Sequence, residues 1–170
     1  MMSIGKKEAL LFEIGDLVDD SKELRFVDIW VAGKKITVRD NIAYIDAMVE
    51  AAKDDLMKVR DLERYQRYFV GKSVKEIHSF IVSTRQEGSP NYGLESDGFF
   101  LEHQIFDWGS NTDDALCFLV ECLGKTYLTL ELICNIDEKT KQGSIYSAQI
   151  DKEYIDQILK KFIGCLSENR

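Results

Sequence analysis

The chain has 170 residues, 45% of them apolar and 31% charged, with a single Pro and a formal net charge of −8. A chain of this length buries roughly 70% of the surface that its unfolded form exposes, so a single domain over residues 1–170 is expected to stand without a metal or a disulfide. The apolar content excludes wholesale disorder, and no stretch reaches the about 18 uncharged apolar residues that a membrane span needs.

The first residues, MMSIGKKEALLFEIGD, turn acidic too quickly for a signal peptide, so a cytoplasmic location is expected. Residues 9–14 (ALLFEI) read as a short strand, and 15–23 as a polar connection. Residues 24–31 (LRFVDIWV) place β-branched and aromatic side chains on both parities, as a well-covered strand does. Ala32-Gly33-Lys34 is a turn signal, after which residues 35–38 pair back as a hairpin. Asp40 is then placed to cap a helix. Ile42, Ile45, Met48, Val49, Ala52 and Leu56 recur at helical spacing, with Asp46, Glu50, Lys53 and Asp54 opposite.

Residues 60–83 leave helix and strand open, except that Ser73-x-x-Glu76 is a capping box and marks SVKEIHSF as a short helix. Residues 84–98 hold the only Pro and three Gly, and read as a long surface loop. From residue 99 the pattern is β-rich. FFLEHQIF, ALCFLVEC and TYLTLELIC are expected strands, the last two joined at Leu123-Gly124-Lys125. Leu128, Leu130, Leu132 and Cys134 share one face of the third strand. Tyr127, Thr129 and Glu131 share the other, which is expected to look toward solvent or a partner. DEKTKQG is a turn, SIYSAQI a last strand, and Asp151 caps a terminal helix striped by Tyr154, Ile155, Ile158, Leu159, Phe162, Ile163 and Leu166. This order predicts an α+β fold: a mostly antiparallel twisted sheet with helices packed on it.

The charge is unevenly placed. Residues 91–137 carry nine acidic side chains against Lys125 alone, and the rest of the chain is balanced. Such a stretch serves solubility, or it attracts a basic partner. Either way it argues against nucleic acid, whose phosphates are met by Lys and Arg. Cys117, Cys122, Cys134 and Cys165 form no C-x-x-C pair, and only His78 and His103 are available beside them, so neither zinc nor a disulfide framework is expected. Gly71-Lys72-Ser73 lacks the upstream Gly of a phosphate loop. No nucleophile motif or paired-carboxylate arrangement stands out, so no enzyme and no cofactor is predicted. Trp108, beside Gly109 in an acidic loop, is either a core cover or an exposed interface anchor.

The stretches FVDIWVAGKKITVRDNIAYIDAM (26–48) and FFLEHQIFDWGSNTDDALCFLVECLGKTYLTLELI (99–133) resemble immunity proteins of bacterial contact-dependent growth inhibition systems, in particular those paired with DNase toxin domains. The resemblance implies a cytoplasmic protein, Whirly-like in fold. It would bind the basic nuclease domain of a large effector, in part by lending a sheet edge to a toxin hairpin. Glu95, Asp97, Glu102, Asp107, Trp108, Asp113, Asp114, Glu121, Tyr127 and Glu131 are the expected partner-binding residues. Two other classes stay open: a small enzyme or ligand-binding domain with the 84–98 loop as a lid, and a structural or adaptor dimer formed through a sheet edge.

Overall fold

The computed structural model describes residues 1–19, 21–59, 62, 64–95, 98–133 and 142–168. The first antiparallel meander runs through β1 (Met2–Lys6), β2 (Leu10–Leu17), β3 (Leu24–Val31), β4 (Lys34–Lys35) and β5 (Ile42–Tyr44), and leads into α1 (Ile45–Lys58). Strands β1, β2 and β3 lie side by side, and β4 and β5 pair with opposite ends of β3. Two helices follow, α2 (Val74–Ser83) and α3 (Gly98–His103). The second meander is β6 (Gln104–Ile105), β7 (Ala115–Cys122), β8 (Lys125–Leu132) and β9 (Ile145–Gln149), paired in that order and followed by α4 (Lys152–Glu168). The architecture is α+β, with antiparallel sheets and packed helices.

Alternation in the strands and the helical stripes converge on one volume. Leu10, Phe12 and Ile14 of β2, Val27, Ile29 and Val31 of β3, and Leu128, Leu130 and Leu132 of β8 meet Met48 and Ala52 of α1 and Ile155, Leu159 and Phe162 of α4. At its centre the Phe162 ring stacks on Phe12, with centroids 4.2 Å apart, and on Trp108 at 5.6 Å. A second apolar cluster lies on the opposite face of the second sheet. There Phe118 and Val120 of β7 pack with Ile77 and Ile81 of α2, Phe99 of α3, and Tyr65 and Phe69. The second sheet therefore has a core on both sides. On β7, Cys117 and Leu119 belong to the first core and Phe118 and Val120 to the second.

Several expectations are corrected. FFLEHQIF is not a strand: residues 98–103 form α3, and only Gln104 and Ile105 pair with β7. One helical turn brings Phe99 and His103 to the same buried side, and His103 Nδ1 lies 2.7 Å from the Phe99 carbonyl. Ile42 does not open α1. It pairs with Phe26 in β5, and Asp40 bonds the Ile42 N–H at 2.9 Å instead of capping a helix. The 35–38 hairpin has strand pairing at Lys34–Lys35 and one further backbone bond, from the Ile36 N–H to the Ile29 carbonyl at 2.8 Å. Beyond it Ile36 turns into the core, and Thr37 Oγ1 accepts the Ile29 N–H at 3.1 Å. The first strand runs on to Leu17, and β1 was not foreseen. The Tyr127–Thr129–Glu131 face of β8 is roofed by α2 rather than open to solvent. The capping box forms as read: Ser73 N–H donates to Glu76 Oε2 at 2.7 Å, and Glu76 N–H to Ser73 Oγ at 3.4 Å. Cys134 and residues 137–141 of the expected turn lie outside the described residues. Among the described residues no helix is long and apolar enough to cross a membrane.

Candidate partner-binding surface

Strand β9 is the outer strand of the second sheet. The Ile150 N–H donates to the Thr126 carbonyl at 3.0 Å, and the register runs from Tyr127↔Gln149 to Glu131↔Ile145. Antiparallel alternation then makes Ala148 and Tyr146 the residues that bond β8. Ile145, Ser147 and Gln149 turn their backbone N–H and C=O groups the other way. Among the described residues no strand pairs with that side. An edge of this kind has the hydrogen-bonding groups that strand addition uses. The β7–β8 hairpin closes through Leu123 and Gly124, both at positive φ (53° and 72°), as a two-residue turn matched to sheet twist requires.

The expected acidic residues divide into two groups. Asp107 and Asp113 are exposed, and Glu121, near the end of β7, is half-buried. Asp114, Glu102, Glu95 and Glu131 have partners within the chain. Asp114 holds Arg39 at 3.0 Å, and Glu102 holds Arg64 at 2.9 Å. Glu95 accepts from the Tyr68 hydroxyl and from Arg67; these bonds hold its carboxyl below the ordinary range. Glu131 Oε2 lies 3.3 Å from His78 Nε2. Asp97 is outside the described residues, and Tyr127 is half-buried against the second core. The acidic surplus of residues 91–137 is thus partly neutralised by arginines from earlier in the chain. Charge counted along a sequence does not show what folds against it.

Trp108 is not an exposed anchor. It is 8% exposed and stacks on Phe12 and Phe162. Its Nε1–H donates to Asp55 Oδ2 at 2.8 Å, and its backbone N–H to Thr112 Oγ1 at 2.9 Å. Asp55 also accepts the Phe106 N–H at 2.7 Å and Lys58 Nζ at 3.1 Å, while Lys58 reaches the Gln104 carbonyl at 2.8 Å. Burial pushes the Asp55 carboxyl up, against the opposing pull of Lys58 and the two N–H donors. This hub ties α1 to residues 104–108 and fixes Phe106 at φ +59°. Sequence reasoning missed it. Asp55 sits three residues after Ala52 and seven after Met48, so a carboxylate on the apolar stripe was the available signal.

His78, Thr129 and Glu131 form a hydroxyl–imidazole–carboxylate line, with Nδ1 2.8 Å from Thr129 Oγ1. Order and spacing are those of a nucleophile, its base and an orienting acid. Thr129 and His78 are both 0% exposed, however, so no substrate carbonyl reaches the hydroxyl. Burial lowers the imidazole pKa to about 4 and keeps it neutral. The line satisfies buried polar groups between α2 and β8. The described cavities lie elsewhere, and none is lined by the 84–98 loop. Burial pushes the Cys117 thiol up, away from the reactive thiolate. Among the described residues no three His, Cys, Asp or Glu side chains are grouped to hold a metal.

No protein-family model matches the chain, and no curated protein matches it. Among solved structures it is similar to the crystal structure of CdiI from Burkholderia dolosa, with a TM-score of 0.61 at 13% sequence identity. The likeness covers 96% of this chain and 99% of the other. What the two share is the fold.

Proposed function

We propose that this chain is an immunity protein of the contact-dependent growth inhibition type: a cytoplasmic single-domain protein that binds and neutralises a basic nuclease toxin domain and catalyses nothing itself. The observation that carries the reading is the fold likeness to CdiI along nearly the full length of both chains. The two halves, each a meander followed by a helix, are read as a Whirly-like arrangement. In this reading a toxin segment adds to the free side of β9. Asp107, Asp113 and Glu121 steer the basic partner, because opposite potentials speed encounter. Glu95, Glu102, Asp114 and Glu131, already bonded within the chain, present only their remaining lone pairs.

The test is co-expression with a candidate basic nuclease toxin domain, read as survival and as a purified complex. Survival and a stable complex are expected. Asp107→Lys with Asp113→Lys is expected to lower the association rate roughly tenfold at low salt and much less at high salt. A rate indifferent to both substitutions and salt overturns the acidic surface. Death of the co-expressing cells overturns the immunity reading.

A further inference from the structure

The outer face of the first sheet is covered by no described element. Phe26 and Ile42, paired across β3 and β5, are 40% and 39% exposed, with Tyr44 exposed beside them. Under Phe26 the β2 strand is irregular between Ile14 and Leu17, and Gly15 occupies the floor. A Cβ on Gly15 would lie 3.0 Å from the Phe26 Cβ, so Phe26 packs directly on the bare backbone at that position. Beside Phe26 a cavity of about 210 Å³ is lined by Met1, Glu13, Gly15, Asp16, Phe26, Asp28 and Asn41. Phe26 forms one wall, and Glu13, Asp16 and Asp28 bring three carboxylates to the others.

The molecule shows elsewhere what it places in such surroundings. Arg67 lies over the Tyr68 ring, 4.9 Å from the centroid, and pairs with Glu95. Arg64 lies over Tyr65 at 5.1 Å and pairs with Glu102. On the first sheet the Trp30 end is similarly filled: Lys7 Nζ sits 3.5 Å from the ring centroid, and Glu13 accepts the indole N–H at 2.8 Å. Over the Phe26 ring no Lys or Arg lies among the described residues, and Met1, which carries the N-terminal ammonium, lines the cavity. Asp28 is compensated by Lys35 at 2.7 Å, whereas Asp16 is exposed and unpaired among the described residues. Arg25, next in sequence, lines a neighbouring cavity that shares Met1 and Gly15 with this one.

We infer that this face is a second docking surface, and that the cavity beside Phe26 receives an arginine side chain of a protein partner. The guanidinium lies on the Phe26 ring with its N–H groups toward Glu13 and Asp16, and Ile42 and Tyr44 take apolar contacts at the side. Naming the partner as the toxin domain rests on the function proposed above; the arginine site does not.

The test is an NMR titration of the full chain with Nα-acetyl-arginine amide, with the uncharged citrulline analogue as control. Saturable amide shifts are expected at residues 13–16, 26–28 and 41–44, and none with the analogue. Phe26→Leu is expected to weaken binding about threefold, and Glu13→Gln with Asp16→Asn about fivefold. Shifts spread over other acidic residues, equal shifts with the analogue, or no shifts overturn the site. If Phe26→Leu disturbs the fold, the arginine–citrulline difference on the unsubstituted chain decides alone. A dimer in light scattering that Ile42→Ser dissociates overturns it in favour of a second copy. Tighter binding of oligothymidine to the same residues overturns it in favour of nucleic acid. Cell survival with the toxin is a separate readout, so the arginine site and the immunity function stand or fall independently.

Discussion

The second sheet is packed on both faces, the first on only one. Each is an antiparallel meander followed by a helix, yet residues 59–103, inserted between α1 and β6, supply α2 and α3 as a roof for the second sheet alone. The difference shows in the polar groups. Under the roof, Thr129 and His78 are wholly buried and bond each other and Glu131. On the bare face, Glu13, Asp28, Lys35 and Asn41 keep one side toward solvent and bond across strands. A covered sheet face must satisfy its polar atoms internally; an uncovered one can keep them for others.

The contrast makes quantitative demands. Phe99→Ala, in the roofed core, is expected to cost about 3–5 kcal/mol of unfolding free energy, read from urea midpoints. A small effect would mean that the second cluster is not a core. Acid is expected to act next most strongly. The unfolded imidazole of His78 takes a proton near pH 6.5 and the folded one near 4, so between these values the unfolded state binds more protons. Stability therefore falls as pH drops through this window, by up to roughly 3 kcal/mol. Glu131, raised by burial, works in the opposite sense. Urea unfolding of His78→Gln at pH 7 and pH 4.5 is expected to lose most of the acid sensitivity. Asp55→Ala leaves the Phe106 and Trp108 N–H groups unpaired, and is expected to cost about 2 kcal/mol with a red shift of Trp108 fluorescence. Ser73→Ala, removing the cap of the roof helix, is expected to cost about 1 kcal/mol. Phe26→Ser on the bare face is expected to change stability by less than about 0.5 kcal/mol. A larger loss there would show that the face is tighter than its exposure implies.

Where a single period governed a segment, the sequence was legible. β7 and β8 fall where their apolar and β-branched residues placed them, β3 spans 24–31 as expected but is covered on one face instead of two, and the α4 stripe and the Ser73 box act as read. Where two periods fitted, tertiary packing decided: FFLEH turned helical because one turn buries Phe99 and His103 together. β1, with Ser3, Gly5 and Lys6, has little strand propensity of its own and is made by pairing with β2. Gly5, at φ +108°, lies where a Cβ would meet the Leu10 carbonyl oxygen at 2.2 Å, a constraint no local pattern reveals. The acidic stretch was read as a surface, but Arg39, Arg64 and Arg67 are distant in sequence from the carboxylates they meet. Trp108 was placed correctly by one of its two readings, and its partner Asp55 by neither.

Strand β9, IYSAQ, holds no charge and no Pro. Natural edge strands are commonly guarded by such residues against growing into fibrils. Left without a partner at high concentration, this strand is a seed for stacking its own copies. Under the function proposed above, a partner strand seated on β9 would also remove this hazard.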